Sequence, residues 1–284
     1  MQRLIELEGA ALEVTLGAVP HAEGALLCAS HPAGVLGADA VRLLEQTAGA
    51  GALCVNPRGI GGSSAVGERP SAYTLDDMVD DIEAVRRHLG LPPWVFWGMS
   101  GGGWLGQVYA RRFPDALVGL ILESVCPCFR LRLADPSCVL SPFHAAWRPA
   151  LDGLGLIDPD SHGTVGDPYA TEWIDVDGVG SVFRRSGGPA LLVSPMPLTA
   201  EMRRNMPLLW THDARRWLPA IRTPTLVLCG STDPVAPPSW SAALHEVIPG
   251  SELVTIGGAG HVPTAQRHPQ AAEAVGRFLR ERGR

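Results

Sequence analysis

The sequence predicts an α/β fold built on a mostly parallel, doubly wound sheet, and three observations support this prediction. Short apolar runs, such as residues 51–56 and 117–122, have the length and composition of buried strands. Segments with apolar residues at helical spacing, such as 75–89, lie between such runs. The regular alternation of the two patterns favours βαβ units over a sheet made of hairpins.

The elements can be placed in chain order. Thr74 and Asp77 resemble a capping box, which predicts the start of the second helix, and Gly90 predicts its end. Pro114 is expected to stop the third helix. The predicted strands are 24–30, 51–56, 94–97, 117–122, 225–229 and 253–256, and the predicted helices are 38–48, 75–89, 103–113, 239–247 and one around 272–279.

The alternation stops between residues 126 and 217. This stretch is broken by Pro and Gly and carries four of the eight Trp residues. Structureless loops of such length are uncommon and are usually functional. We therefore expect a core domain formed by 1–125 and 218–284, interrupted at 126–217 by a largely helical cap insertion.

Composition excludes several classes of protein. The 284 residues carry a net charge of −6, which argues against nucleic acid or an anionic membrane as partner. No run of about 18 apolar residues occurs, and residues 1–8 carry charges where a signal peptide needs an apolar segment. Six cysteines in such a length do not form a disulfide scaffold. These observations predict a reduced, cytoplasmic protein; the oligomeric state stays open.

The basic residues exclude further chemistry, because all 23 are Arg and the chain has no Lys. Schiff-base formation, pyridoxal phosphate attachment, Ser–Lys dyads and P-loop phosphate binding all need a lysine. Cys126 and Cys128 form a lone C-x-C pair without a second pair, so no zinc site is expected.

One short motif carries the main functional hypothesis. Gly98-Met-Ser-Gly-Gly102 matches G-x-S-x-G and stands between a predicted buried strand and a predicted helix. A sharp strand-to-helix turn projects the Ser100 hydroxyl above the sheet. The N–H of Gly101 points into the same space, at the positive end of the helix. We therefore predict that Ser100 is a catalytic nucleophile.

A serine hydroxyl needs a base, and that base needs a carboxylate to orient it. Asp233 follows the strand 225–229, and His261 lies in a glycine-rich loop that follows the strand 253–256. The order Ser, Asp, His is the one found with strand–turn–helix nucleophiles. Glu123 and Asp135 remain alternative acids, because both follow the strand 117–122, which is the predicted strand before 225–229 in the chain.

These segments resemble the α/β-hydrolase superfamily over nearly the whole chain outside the insertion. Asn56-Pro-Arg-Gly-Ile-Gly-Gly-Ser63 is similar to the family's D-x-R-G-x-G-x-S turn, with Asn at the first position. Residues 30–34 stand where the family has its oxyanion loop, and 222–233 and 260–263 are similar to its acid and base segments. The resemblance implies Ser100 as nucleophile and His261 as base.

The same resemblance implies the remaining site residues. Asp233 would orient the base, and the N–H groups of Gly101 and Ala33 would form the oxyanion hole. Pro32 has no N–H, so Gly34 is the other candidate for the second donor. Met99, inside the nucleophile motif, is expected to bind substrate.

A serine rather than an aspartate at position 100 favours acyl chemistry over the dehalogenase and epoxide-opening branches. We expect a serine hydrolase that cleaves a small-molecule ester or related acyl bond, with no cofactor and no metal. The position of the insertion is similar to that in small-molecule esterases and in proline-iminopeptidase-like enzymes. An aminopeptidase using the same three residues is therefore the alternative.

Two alternatives come from other classes of protein. Gly101, Gly103 and Gly106 also match G-x-G-x-x-G, with Glu123 after the next strand, as in an NAD(P)-binding oxidoreductase. That motif begins three residues beyond the end of the apolar strand and leaves His261 unexplained. A non-catalytic binding protein of the same fold is the other alternative.

Two further polar residues have structural interpretations. His31 follows a predicted strand and is expected to support its loop. Arg58 is expected to hold loops together through its forked donors.

Overall fold

A central sheet of eight strands organises the computed structural model, which describes residues 1–17, 25–66, 73–158, 170–195 and 198–281. The strands of this sheet are β1 (Gln2–Leu7), β2 (Ala10–Leu16), β3 (Leu27–Ala29), β4 (Ala52–Val55), β5 (Trp94–Met99), β6 (Leu117–Glu123), β10 (Thr225–Gly230) and β11 (Glu252–Ile256). A separate small sheet contains β7 (Thr171–Val176), β8 (Gly180–Arg185) and β9 (Ala190–Ser194). The helices are α1 (Ala38–Ala48), α2 (Leu75–His88), α3 (Gly102–Arg112), α4 (Leu131–Ala134), α5 (Arg148–Gly153), α6 (Ala200–Trp210), α7 (Pro238–Val247) and α8 (Pro269–Arg280).

The strand order confirms the predicted fold class. The large sheet runs β1-β2-β4-β3-β5-β6-β10-β11, and every pairing from β4 to β11 is parallel. The sequence prediction omits the antiparallel strands β1 and β2 at one edge. β1 is mostly exposed, so it lacks the continuous apolar run that marks the buried strands. Residue 24 of the predicted first strand lies outside the described residues.

Helices cover both faces of the sheet, and the two faces can be read along β5. Trp94 and Phe96 pack into the cluster that contains the apolar side chains of α2 and α3. Val95 and Trp97 pack into the cluster that contains those of α1 and α8. This alternation is typical of a sheet buried on both sides.

The predicted capping box at the start of α2 is also confirmed, because the Thr74 and Asp77 side chains each accept a hydrogen bond from the other's backbone N–H.

The insertion has a more mixed structure than the largely helical one that the sequence predicts. Beside α4, α5 and α6 it contains the antiparallel sheet β7-β8-β9. Gly178 and Gly180 adopt positive φ angles of 73° and 111° at the turn between β7 and β8. The strands are short and only partly buried on β7, so their pattern is weak in the sequence. Residues 159–169 and 196–197 lie outside the described part, and the domain division itself stays a prediction.

The Asn56–Ser63 turn shows why asparagine suits its first position. Asn56 Nδ2 donates to Glu13 Oε2 at 2.7 Å, and Leu36 N–H donates to Asn56 Oδ1 at 2.9 Å. A carboxylate at position 56 would face the Glu13 carboxylate and could not donate to it. Burial raises the pKa of Glu13, but hydrogen bonds from Gly62 N–H and Asn56 outweigh it, and the pKa lies below its usual value.

Arg58 holds loops together, as predicted. Its Nε and Nη2 atoms bind the two Asp81 carboxylate oxygens at 2.9 and 2.7 Å. The Tyr73 hydroxyl donates to the same carboxylate and accepts from the Arg58 N–H. The Arg58 guanidinium therefore forms a structural ion pair with Asp81.

Among the described helices, none is long and apolar enough to cross a membrane.

Candidate active site

Ser100 stands at a sharp corner between β5 and α3. Its φ is +50°, in the left-handed region that residues with a Cβ rarely adopt. Its N–H donates to Glu123 O at 2.8 Å, which ties the corner to β6. A Cβ on Gly98 would lie 2.5 Å from Gly103 Cα, so only glycine allows the backbones on either side of the corner to approach so closely. The local backbone therefore has the geometry that the G-x-S-x-G motif predicts.

The structure brings Ser100, His261 and Asp233 together in one line. His261 Nε2 lies 2.9 Å from Ser100 Oγ. His261 Nδ1 lies 2.8 Å from Asp233 Oδ2 and 3.1 Å from Oδ1. Both contacts are within hydrogen-bonding distance, although Ser100 and His261 are 161 residues apart in the chain. This arrangement can transfer a proton from the hydroxyl to the imidazole.

Asp233 is fixed by its surroundings. Its side chain is fully buried, and Oδ1 accepts hydrogen bonds from Val235 N–H at 2.8 Å and Ala236 N–H at 2.9 Å. Burial acts to raise the pKa of this carboxyl, but the hydrogen bond and charge of His261, with the two backbone N–H groups, lower it overall. Asp233 is therefore ionised at neutral pH and faces the imidazole with Oδ2.

A strained loop presents His261. Val262 has a φ of +54°, which is unusual for a β-branched residue. Its N–H donates to Ser124 Oγ at 3.0 Å, and Ser124 itself has a φ of +53° at the end of β6. Ser124 therefore stabilises the conformation of the loop. Sequence reasoning missed it; the one signal was a hydroxyl directly after a buried strand.

The two alternative acids make other contacts. Glu123 is buried and accepts hydrogen bonds from Thr264 N–H at 2.9 Å and Trp97 Nε1 at 3.0 Å, and burial raises its pKa. It thus anchors the His261 loop through Thr264. Asp135 accepts from Trp240 Nε1 at 2.8 Å. Neither carboxylate has a hydrogen bond to His261 in the described structure, whereas both oxygens of Asp233 lie within hydrogen-bonding distance of its Nδ1.

The three residues predicted to donate to the oxyanion differ in how well their positions suit that role. The Gly101 N–H has no acceptor among the described residues, and Gly101 and Ala33 both line the cavity at Ser100. The Ala33 N–H, however, donates to His31 Nδ1 at 3.1 Å, and Gly34 does not line the cavity. His31 supports its loop through this bond, as predicted. The second donor stays a prediction.

His31 also faces the site. Burial lowers its pKa to about 4, and the nearby charges of Arg132 and His261 act in the same direction. The ring is therefore neutral at pH 7. Because Nδ1 accepts a hydrogen bond, the proton of the neutral ring is on Nε2. A Cβ on Gly101 would lie 2.7 Å from that Nε2 atom, so the ring packs directly against the residue after Ser100.

A cavity of about 310 Å³ opens above Ser100 and His261. Its walls are mainly apolar, and the insertion supplies Phe129, Leu140, Leu192, Met202, Met206 and Leu209 to them. Asn205 Nδ2 on α6 donates to Pro32 O at 2.6 Å, which ties the insertion to the loop that holds His31. Met99 does not line the cavity; its side chain packs on the other side of the sheet, in the cluster of α1 and α8. The expected contact between Met99 and substrate is therefore not seen.

The glycines of the alternative dinucleotide motif have a packing explanation. A Cβ on Gly103 would lie 2.6 Å from Val125 Cγ1, and one on Gly106 would lie 3.1 Å from Leu120 Cδ1. These glycines let α3 pack closely on β5 and β6.

The described residues contain no group of three or more His, Cys, Asp or Glu side chains that could hold a metal ion.

Two family models match the chain. The model described as "alpha/beta hydrolase fold" matches residues 35–152, which include Ser100. The model described as "TAP-like protein" matches residues 208–283, which include Asp233 and His261. Together, the two matched segments contain Ser100, Asp233 and His261.

Similar proteins carry hydrolase names. The chain is 28% identical over 194 residues to a pimeloyl-(acyl-carrier protein) methyl ester esterase of Xanthomonas axonopodis pv. citri, covering 66% of this chain and 71% of the relative. It is 26% identical over 241 residues to a probable proline iminopeptidase of Leptolyngbya boryana, covering 72% and 70%. The fold matches that of an alpha/beta fold family hydrolase from Bacillus anthracis with a TM-score of 0.71 and 17% identity, covering 98% and 99%. From its fold and these matches, the chain belongs to the α/β-hydrolase superfamily and is a hydrolase.

Proposed function

We propose that the protein hydrolyses a small-molecule ester through an acyl-enzyme intermediate. Ser100 is the nucleophile, His261 is the general base and Asp233 orients it. The single observation that carries this proposal is the line of contacts from Ser100 Oγ through the imidazole to Asp233, with distances of 2.9 and 2.8 Å, at the floor of a cavity. A hydroxyl, an imidazole and a buried carboxylate in this order activate a nucleophile for acyl transfer.

In the acylation step, His261 Nε2 takes the proton of Ser100 as Oγ bonds to the ester carbonyl carbon. The electron pair of the carbonyl bond moves to its oxygen, and the Gly101 N–H donates to this oxyanion. The second donor is expected from the loop of residues 30–34, which lines the same cavity through His31 and Ala33. His261 then gives its proton to the alcohol oxygen as the ester bond breaks.

In the deacylation step, a water molecule attacks the acyl-enzyme carbonyl while His261 removes its proton. The bond to Ser100 Oγ breaks, Oγ regains a proton from His261, and the carboxylic acid leaves. Asp233 keeps the imidazole in the tautomer that accepts at Nε2 and stabilises the imidazolium formed in both steps. No cofactor takes part in these steps.

The insertion acts as a cap in this proposal. Its side chains Met202, Met206 and Leu209 on α6 and Leu192 on β9 face the same cavity as Ser100. Apolar walls exclude water from the reacting carbonyl and strengthen the hydrogen bonds to the oxyanion. The cap boundaries at 126 and 217, and a cytoplasmic location, stay predictions.

Cavity chemistry favours the ester over the aminopeptidase alternative. An N-terminal proline substrate carries a cationic amine, which needs a carboxylate near the scissile bond. Among the described residues that line the cavity there is no Asp or Glu. A substrate without a positive charge therefore fits the site better.

The proposal can be tested with 4-nitrophenyl hexanoate and L-proline 4-nitroanilide. We expect hydrolysis of the ester with a burst of about one equivalent of nitrophenolate per active site, and no measurable hydrolysis of the proline amide. Preferred turnover of the proline amide would support the aminopeptidase instead. Absence of turnover on both compounds would support a non-catalytic binding protein.

A further inference from the structure

Arg132 is a buried cation on the wall of the cavity at Ser100. It lies on α4 at the beginning of the insertion and is 7% exposed. Its side chain lines the same cavity as Ser100 and His261. The Nε and Nη2 atoms of its guanidinium are buried and have no hydrogen-bond acceptor among the described residues. Buried donors of a charged group without a partner are rare and unfavourable.

Other arginines of the chain show what this group usually does. Arg58, Arg86 and Arg112 all form ion pairs with carboxylates, although each is more exposed than Arg132. Among the described residues, Arg132 is the only buried arginine, and no carboxylate lies within ion-pairing distance of it. Arg132 is thus the most deeply buried arginine of the described chain, and no described carboxylate pairs with it.

Aromatic rings account for part of this environment. The Arg132 Cζ atom lies 4.8 Å from the centroid of the Trp104 ring and 5.6 Å from that of Phe129. Cation–π contact offsets some of the cost of burying the charge. A ring face does not accept the in-plane N–H groups of the fork, however, so those donors still need an acceptor. The two rings therefore hold the guanidinium in place for an acceptor that comes from outside the protein.

We propose that Arg132 binds a carboxylate carried by the substrate, so that the substrates are acyl compounds that also carry a free carboxylate. This inference rests on the proposed function and names the substrate class of the same site. A planar fork matches a carboxylate with two parallel hydrogen bonds. The apolar walls of the cavity that Arg132 shares with Ser100 accommodate the carbon skeleton that joins the carboxylate to the bond that is cleaved.

The residues that share the cavity with Arg132 define the surroundings of the anionic end. Arg132 and His31 both line the cavity at Ser100. His31 in turn packs against Gly101. A carboxylate bound to Arg132 would therefore occupy the same cavity as the reacting carbonyl. Among the described residues that line the cavity, Arg132 is the only Arg or Lys, and His31 is neutral at pH 7.

The kinetic test compares matched pairs of esters that differ in one charge. For a carboxylate on the acyl side, the pair is mono-4-nitrophenyl adipate and its methyl ester. For a carboxylate on the alcohol side, the pair is 4-acetoxybenzoate and methyl 4-acetoxybenzoate. We expect kcat/KM to favour the carboxylate member of at least one pair by about 10- to 100-fold. The pair that shows the preference identifies the side on which the carboxylate lies.

Variants connect the preference to Arg132. In Arg132→Met, which keeps a long side chain against the rings, the ratio of kcat/KM within the pair is expected to fall to about one, chiefly through KM. Arg132→Gln, which keeps donors without the charge, is measured beside it, and circular dichroism checks that both fold. Arg130→Met, at an exposed neighbouring position, is the matched control and should keep the ratio. No preference in the parent protein, or one that persists in both Arg132 variants, would overturn the inference.

A binding measurement separates this inference from the proposed function. In Ser100→Ala, adipate is expected to raise the midpoint of thermal unfolding above that in sodium chloride of equal ionic strength, and Arg132→Met should abolish the rise. Adipate binding without any ester turnover would contradict the proposed function and leave the anion site standing. Ser100-dependent turnover without either adipate binding or charge preference would overturn the anion site alone.

Discussion

Replacing Ser100 with alanine is expected to lower kcat/KM for 4-nitrophenyl hexanoate by about 10⁴- to 10⁶-fold. The variant keeps the apolar cavity and the His261–Asp233 pair but has no oxygen to attack the carbonyl. Residual hydrolysis comes only from binding and from oxyanion stabilisation. Steady-state kinetics at substrate concentrations below KM measure the loss, and the nitrophenolate burst should disappear.

Ser239→Ala is the control for this experiment. Ser239 is exposed in the first turn of α7, and it is absent from the cavity lining. The substitution removes the same atom from the same residue type and should leave kcat/KM within about twofold of the parent value. Activity in Ser100→Ala that matches Ser239→Ala would show that the hydroxyl at the strand-to-helix corner does not react.

Changing Asp233 to asparagine is expected to lower kcat by about 10³- to 10⁴-fold with little change in fold. Oδ1 of Asp233 accepts from the N–H groups of Val235 and Ala236, at 2.8 and 2.9 Å. An asparagine must place its carbonyl oxygen there, which turns its NH₂ group toward His261 Nδ1. That NH₂ donates, so the proton of the imidazole moves to Nε2, and Nε2 can no longer accept from Ser100.

Glu123→Gln is the comparison that tests the choice of acid. Glu123 anchors Thr264 and Trp97 and has no bond to His261, so this variant should lose far less kcat than Asp233→Asn. Glu123→Gln should instead lower the free energy of unfolding, because the NH₂ group of glutamine cannot accept the hydrogen bonds that Thr264 and Trp97 donate to the carboxylate. A larger loss of kcat in Glu123→Gln, with near-parental activity in Asp233→Asn, would make Glu123 the acid.

Much of the site could be predicted from sequence because its parts follow buried strands. Ser100 comes after β5, Asp233 after β10 and His261 after β11, and parallel strands end at one edge of a sheet. The apolar runs identify those strands without knowledge of long-range contacts. Residues as far apart in the chain as Ser100 and His261, which are separated by 161 positions, can therefore be expected at the same edge of the sheet.

The insertion could not be predicted in the same way. Arg132 is one of several arginines in a stretch with mixed charges, and nothing local indicates that it is the buried one. It packs against Trp104 on α3 and shares a cavity with His31, and both residues are distant from it in sequence. Met99 shows the converse case. It was expected to bind substrate from its place in the motif, but the alternation of side chains along β5 points it away from the cavity.

The proposed mechanism forms a covalent bond to Ser100 Oγ, and mass spectrometry can locate that bond. The parent protein is incubated with a 4-nitrophenyl alkylphosphonate, digested, and analysed for the peptide that carries the adduct. We predict one equivalent of phosphonate on Ser100 and loss of esterase activity in step with labelling, with no adduct in Ser100→Ala. Esterase activity that persists without an adduct on Ser100, or an adduct on another residue that accounts for the inactivation, would contradict the proposed mechanism.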